Sequence, residues 1–308
     1  MGDVLVIGSL NVDLVVRCAR MPDVGETIIG DSLERHPGGK GLNQAIAAAR
    51  DEARVQMCGC VGDDEAGEWL REILADDAVD DGFVARSSGP SGTALIEVDD
   101  EGRNRIVVVP AANDYVTGEQ AVEAVDAQPA GSVVLASLEV PLEAVTAGLI
   151  AARRRGLITV LNPAPAATLP TELLAATDYL IPNEHEVLEI TGCTDIDSAI
   201  VALRDAGVST VIVTLGDQGL RWSGPLGEGS APAVEVEAID TVAAGDSFCG
   251  VFASVLANGQ GVDAALVRAI HAAAITVTRK GAVPSLPRAS ETNAFIDRLL
   301  EQDRQSRA

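Results

Sequence analysis

The chain has 308 residues, 47% of them hydrophobic, which suffices for one large α/β domain or two small ones without disulfide or metal staples. Its formal charge of −24 opposes binding to nucleic acid or to an anionic membrane surface, and no apolar run approaches the roughly 20 residues that span a bilayer. Five scattered cysteines, an odd number with no histidine cluster at metal spacing, read as reduced and mostly buried thiols.

Met1-Gly2-Asp3 leads directly into the apolar run Val4 to Ile7 with no basic segment before it, which predicts a cytoplasmic protein that opens on a strand. Asn11-Val12-Asp13 follows. In an extended chain residues two apart share a face, so both polar heads suit two sugar hydroxyls; an Asx turn is the alternative. Residues 12 to 36 read as extended, with a turn at Pro22-Asp23-Val24-Gly25. Gly38-Gly39-Lys40-Gly41-Leu42-Asn43 then combines close backbone approach, a cation and an amide ahead of an Ala-rich helix, Gln44 to Arg50. The spacing is not that of a Walker A loop, and a polyol clamp explains it better. Cys58-Gly59-Cys60 sits in strand-like surroundings, and Ala66 to Ala75 reads as a helix. A second extended region, 91 to 112, turns at Asp99-Asp100-Glu101-Gly102.

Beyond it, strand and helix alternate: Val133 to Ala136, Leu142 to Arg155, Thr159 to Leu161, Tyr179 to Ile181, Ala199 to Ala206, Val211 to Leu215 and Ala264 to Thr278. This order predicts a parallel sheet wrapped by helices. Glu139 follows one strand at its carboxyl end, where open α/β sheets bind ligands, and is placed to accept a sugar hydroxyl. Asn183-Glu184-His185-Glu186 follows another; it offers hard oxygens to the water shell of Mg²⁺ or simply starts a solvated helix. Thr214-Leu215-Gly216-Asp217-Gln218-Gly219 opens room for a nucleotide or is a plain turn.

Asp240-Thr241-Val242-Ala243-Ala244-Gly245-Asp246 places a carboxylate where small residues open a helix expected from Ser247 to Leu256. Unpaired N–H groups there favour anionic oxygens, and Asp246 on the same turn is placed to take a proton from an attacking hydroxyl. An ordinary Asp-capped helix is the alternative.

Six segments in order resemble the PfkB carbohydrate-kinase family, and its ribokinase branch, over essentially the whole chain. They are Gly8 to Asp13, Gly38 to Ala45, Leu161 to Ala166, Pro182 to Glu184, Asp240 to Asp246 and Val277 to Ala282. The resemblance implies a ribokinase-like three-layer α/β/α sandwich with a mostly parallel central sheet and a small β lid, 12–36 and 91–112, inserted in a single kinase domain, 1–308. It implies transfer of the γ-phosphoryl group of ATP to the terminal hydroxyl of D-ribose, with Asp246 as base and Ala244-Gly245 in the anion hole. Asn11, Asp13, Gly39, Lys40, Asn43 and Glu139 would hold the sugar, and Asn183, Thr214, Gly216, Gly219 and His271 the nucleotide. Glu186 would place Mg²⁺ through water, and Asp240, Val242, Thr276, Arg279, Gly281 and Ser285 would hold K⁺.

Three departures from the family pattern stand out. Leu42 occupies a position that is generally Ala, His36-Pro37 precedes the glycines, and Ile270 falls where His or Asn often meets the adenine, with His271 one residue on. Leu42 and His36, with Arg103 or Arg105 in the lid, leave a ribose 1-phosphate or nucleoside kinase as the alternative, and a non-catalytic sugar-binding regulator as the reading outside enzymes. Twenty arginines and two lysines, Lys40 and Lys280, against 46 carboxylates predict a salt-adapted protein, and the projecting lid strands predict a homodimer formed through them.

Overall fold

The computed structural model describes residues 2–225 and 227–306. From the amino end, β1 (Asp3–Ile7), β2 (Asn11–Cys18) and β3 (Ser32–Gly38) precede α1 (Lys40–Arg50), β4 (Arg54–Gly62), α2 (Glu65–Asp76) and β5 (Asp80–Ser87). Then come β6 (Gly92–Asp99), β7 (Asn104–Val109), α3 (Gly118–Asp126), β8 (Val133–Ser137), α4 (Leu142–Arg154) and β9 (Ile158–Asn162). The second half runs α5 (Thr171–Ala175), β10 (Tyr179–Leu180), α6 (Glu184–Thr191), α7 (Ile196–Asp205), β11 (Thr210–Thr214), β12 (Leu220–Gly224) and β13 (Gly227–Ala231). Three helices close it: α8 (Ala244–Ala257), α9 (Val262–Val277) and α10 (Ala289–Ser306).

Nine strands form the main sheet in the order β13-β12-β11-β10-β9-β8-β1-β4-β5. The pairs from β11 to β5 are parallel, and β12 and β13 join as an antiparallel edge. Alternation of side chains along a strand divides the core in two. Val4 and Val6 of β1 face a cluster built with α1, α2, α8 and α9, while Leu5 and Ile7 face one built with α3, α4 and α7. The result is helices on both faces of the sheet, the expected three-layer arrangement.

β2, β3, β6 and β7 form a separate four-stranded sheet in the order β3-β2-β6-β7, built from the two segments that interrupt the strand–helix alternation. Its edge strand β7 is exposed along its whole length. Two boundaries differ from the sequence reading in ways that matter for the site. α1 begins at Lys40 rather than Gln44, and α8 at Ala244 rather than Ser247, so Gly41 and Gly245 lie inside first turns, while Gly38 ends β3 and Gly39 caps α1.

Candidate active site

The carboxyl ends of β1, β8, β9 and β11 bring the chain's polar motifs to one edge of the sheet. α8 starts there from Ala243, which holds a left-handed backbone at φ 61°. Asp246 is therefore the third residue of the helix, not its N-cap, and the reading of it as a plain capping residue falls. Its side chain turns inward, 6% exposed. Asn43 Nδ2 donates to Asp246 Oδ2 and Gln44 Nε2 to Oδ1, each at 3.0 Å. Gln44 Nε2 also reaches Asn162 Oδ1 at 3.1 Å, and Asn162 Nδ2 donates to the Ile181 carbonyl at 2.9 Å. Hydrogen bonds to an ionised acceptor contribute about 1.5–3 kcal/mol each, enough to fix the carboxylate's rotamer. Both amides leave their own oxygens buried and unpaired, a cost that native structures tolerate mainly at functional sites.

The Ala244 N–H turns back to the Thr241 carbonyl at 3.3 Å, and the Ser247 N–H makes the first regular helical bond, to Ala243, at 2.8 Å. Among the described residues the N–H groups of Gly245 and Asp246 are the two of this first turn without an acceptor, one residue on from the expected Ala244-Gly245 pair. Open space lies above Gly245, where an added Cβ would meet no atom within 4 Å.

On the other side of Asp246, the end of the lid enters α1. Gly39 has φ 92°, and a Cβ there would stand 2.9 Å from the Asn11 nitrogen; one at Gly41 would stand 2.5 Å from the Gly8 carbonyl carbon. Only glycine lets α1 start against β1 and β2 this closely. Glu139 Oε2 accepts the Lys40 N–H at 3.0 Å and the Ser9 hydroxyl at 2.5 Å, so this carboxylate caps α1. Asn11 lies in β2 rather than in an Asx turn and accepts from Asn113 Nδ2 at 2.8 Å. Asp13, two residues along the same face, feels first its burial and then the charge of Glu139. These push its carboxyl up to about 7 against the pull of His36, with Asp246 adding to the rise. Burial lowers Lys40, but Asp246, Glu139 and Glu186 together outweigh it and hold the ammonium above its ordinary value.

Two cavities meet at the first turn of α8. A small polar one of about 220 Å³ is lined by Lys40, Asn162, Asn183, Glu186, Gly245 and Asp246. A larger one of about 570 Å³ has mostly apolar walls, among them Leu220, Val234, Phe248 and Ile270, and includes Thr214, Gly216 and Gly219. Both share Thr214, Thr241, Ala244 and Gly245, so the unpaired N–H groups stand at the opening between them. Asn183 and Glu186 form a capping box on α6: Asn183 Oδ1 accepts from the Glu186 N–H at 2.8 Å, and Glu186 Oε2 from the Asn183 N–H at 2.8 Å. Burial raises the Glu186 carboxyl, with that N–H bond and Lys40 opposing.

His271 does not line the larger cavity. Its Nδ1 lies 2.6 Å from the Val267 carbonyl and its ring 6.0 Å from that of Phe295, while Ile270, one position earlier, faces the cavity. A single-residue step on a helix turns a side chain by about 100°, which separates the two. Leu42 is fully buried in the core. Arg103 is engaged by Asp99 at 2.7 Å and Glu101 at 2.9 Å, and Arg105 reaches the Pro22 carbonyl at 3.4 Å.

Asp240 ties two loops together, accepting the Val242 N–H at 3.0 Å and the Gly281 N–H at 2.9 Å. The side chains of Thr276, Arg279 and Ser285 are committed to Ser247, Glu291 and the Ala282 carbonyl respectively. Any cation role there falls to backbone carbonyls and the Asp240 carboxylate, a donor set suited to a monovalent ion. Among the described residues no group of three or more His, Cys, Asp or Glu side chains is placed to hold a metal, and no helix is long and apolar enough to cross a membrane.

The family description pfkB family carbohydrate kinase matches residues 1–289. The ribokinase of Schizosaccharomyces pombe is 38% identical over 312 residues, covering 96% of this chain and 98% of that protein. Ribokinase from Thermotoga maritima superposes with a TM-score of 0.89 at 33% identity, over 96% of this chain and all of that one. Arabidopsis thaliana ribokinase, solved in complex with ribose and ATP, gives 0.86 at 28% identity, over 96% and 98%. The chain belongs to the pfkB family of carbohydrate kinases.

Proposed function

We propose that the protein transfers the γ-phosphoryl group of ATP to the 5-hydroxyl of D-ribose, giving ribose 5-phosphate and ADP. The observation that carries this reading is the position of Asp246. Its carboxylate, fixed by Asn43 and Gln44, lines the small polar cavity, which opens at Ala244 and Gly245 onto a nucleotide-sized apolar one. The relative solved with ribose and ATP supports the choice of both substrates.

In this mechanism Asn11, Asp13, Gly39, Lys40, Asn43 and Glu139 bind the sugar hydroxyls and present the terminal one to Asp246. Asp246 receives its proton as the oxygen attacks the γ-phosphorus. The Gly245 and Asp246 N–H groups, with Lys40, offset charge on the transferring group, so the work is positioning and electrostatics. Thr214, Gly216 and Gly219 line the nucleotide side with Ile270 in place of His271, and Asn183 lies at the phosphates. Mg²⁺ entering with ATP supplies charge neutralisation. Glu186 and Asn183 fit its hydrated shell, since both line the small polar cavity. K⁺ fits the carbonyls around Val242 and Gly281, next to Asp240.

Of the features that pointed to ribose 1-phosphate, Leu42 is held in the core, Arg103 by carboxylates and Arg105 by a backbone carbonyl, while His36 stays opposite Asp13. The same reading takes 1–308 as one kinase domain with the small sheet as its lid, acting in the cytoplasm of a salt-rich cell as a homodimer joined through β7. The test is an ADP-release screen in molar KCl with ribose, ribose 1-phosphate, 2-deoxyribose, fructose and nucleosides. Ribose should give the highest kcat/KM. A marked preference for ribose 1-phosphate overturns the substrate, and no sugar-dependent ADP release overturns the kinase.

A further inference from the structure

Four ionisable side chains run in file along one face of the lid sheet toward the sugar side of the site. Arg17 Nε lies 3.3 Å from Glu34 Oε1, and His36 Nε2 lies 3.0 Å from Glu34 Oε2. His36 is the direct cross-strand partner of Asp13 in the β2–β3 register. Opposed residues of an antiparallel pair share a face with Cβ atoms about 5 Å apart; the Asp13 carboxyl leans over Gly38 and the ring toward Glu34, and the imidazole acts on Asp13 through its charge. Hydrogen bonds from His36 and then Arg17 hold Glu34 below the usual carboxylate range, which keeps it an acceptor for the ring.

The groups facing Asp13 are few. Glu139 and Asp246 come from the core side, Lys40 from α1 stands among them, His36 comes from β3, and the β6 residue opposite Asp13 is the apolar Ala94. Arg35, on the other face of β3, stacks 4.4 Å over the Trp69 ring and lies 3.8 Å from Glu65, so it stays out of the file. Lys40 is held by Asp246, Glu139 and Glu186, so His36 is the positive neighbour that acts on Asp13 itself. A protonated Asp13 donates a hydrogen bond where an ionised one accepts, and the two forms present different surfaces to a sugar hydroxyl.

We propose that His36, oriented by Glu34, acts through Asp13 to set the pH range in which the sugar pocket accepts its substrate. The inference rests on the sugar-kinase reading above and deepens it. His36 does not touch the reacting atoms; its charge favours the ionised, hydroxyl-accepting form of Asp13 over the protonated one. Because burial and Glu139 hold Asp13 at about 7, a neighbouring charge moves it across the working range, and a tenfold change in its proton affinity alters the ionised fraction about tenfold on the acid side.

The experiment is the pH profile of kcat/KM for ribose in the wild type and in H36Q, H36R and E34Q, with KM for ATP measured alongside. In the wild type kcat/KM should rise with pH through about 7 as Asp13 ionises. H36Q removes the favourable charge, so the rise moves up in pH; KM for ribose increases about three- to tenfold near pH 6 and converges with the wild type well above the rise. H36R fixes a positive charge and moves the rise down. E34Q moves it the same way as H36Q, by less. KM for ATP and kcat at saturating ribose stay unchanged. Equal shifts in H36Q and H36R, or midpoints that do not move in any variant, overturn the proposal and point to a packing role for His36. A wild type that turns over no pentose at any pH removes the sugar-kinase reading itself, and this inference with it.

Discussion

The proposed chemistry asks the Asp246 carboxylate to be fixed and buried while it takes a proton, and its neighbours supply the fixing. Asn43 and Gln44 fix it, and the first turn of α8 supplies the adjacent N–H groups. Asp246→Asn keeps the size and one acceptor but removes the proton acceptor. kcat should fall by about 10²–10⁴ while the dissociation constant for ATP changes less than about threefold, measured by single-turnover quench and equilibrium binding. Gly245 offers a cleaner separation. No protein atom stands within 4 Å of an added Cβ, so Gly245→Ala should fold with unchanged or slightly raised Tm, yet its methyl would occupy the opening between the two cavities. Turnover is expected to drop about 100-fold or more; wild-type turnover would show that no ligand passes over that residue. Asp246 was readable because its motif is contiguous. Gln44, Asn162 and Asn113 were not read as site residues, because what they do depends on partners 202, 118 and 103 residues away. Whether Ile270 or His271 faces the cavity is not legible in a string, because a one-residue offset turns a helical side chain to another neighbour.

Among the elements, α1 joins the proposed sugar site to the rest of the fold. Its first turn carries Lys40 and Asn43, and its last residue, Arg50, makes a paired contact with Asp77 at 2.9 and 2.8 Å. Arg50 also donates to the carbonyls of Val283 and Leu286 at 2.7 and 2.8 Å. Arg50→Ala leaves the buried Asp77 with only the longer Arg288 contact of 3.3 Å and frees the loop holding Ser285. A loss of about 3 kcal/mol in urea unfolding is expected; a change below about 0.5 kcal/mol would mean that the network is not a brace. The long apolar strands and amphipathic helices were legible from periodicity. The start of α1 was not, because three glycines in four residues read as loop until the close approaches of Gly39 to Asn11 and of Gly41 to Gly8 explain two of them. Strands β12 and β13 escaped for a related reason. They are short and rich in Gly and Ser, and an edge hairpin needs no apolar alternation.

Across the whole molecule two surface features remain. β7 is an unpaired, fully exposed edge carrying Ile106, Val107, Val108 and Val109, and natural sheets rarely leave such an edge open. The pair Val107→Lys and Val109→Lys should leave the monomer folded while converting a dimer to monomer in analytical ultracentrifugation; a wild type that is monomeric at micromolar concentration contradicts the lid interface. A charge of −24 should make stability rise steeply with KCl, because self-repulsion within the chain is screened over about 10 Å at 0.1 M salt and less above it. Both predictions concern how the enzyme is assembled rather than what it does. The chemistry is tested most directly by incubating wild type and Asp246→Asn with ATP, Mg²⁺ and ribose in high KCl and following the product by phosphorus-31 NMR. The account predicts a phosphomonoester on the ribose 5-oxygen, formed stoichiometrically with ADP by the wild type and at a small fraction of that rate by the variant. Phosphate on another oxygen, or equal rates from the two proteins, would contradict it.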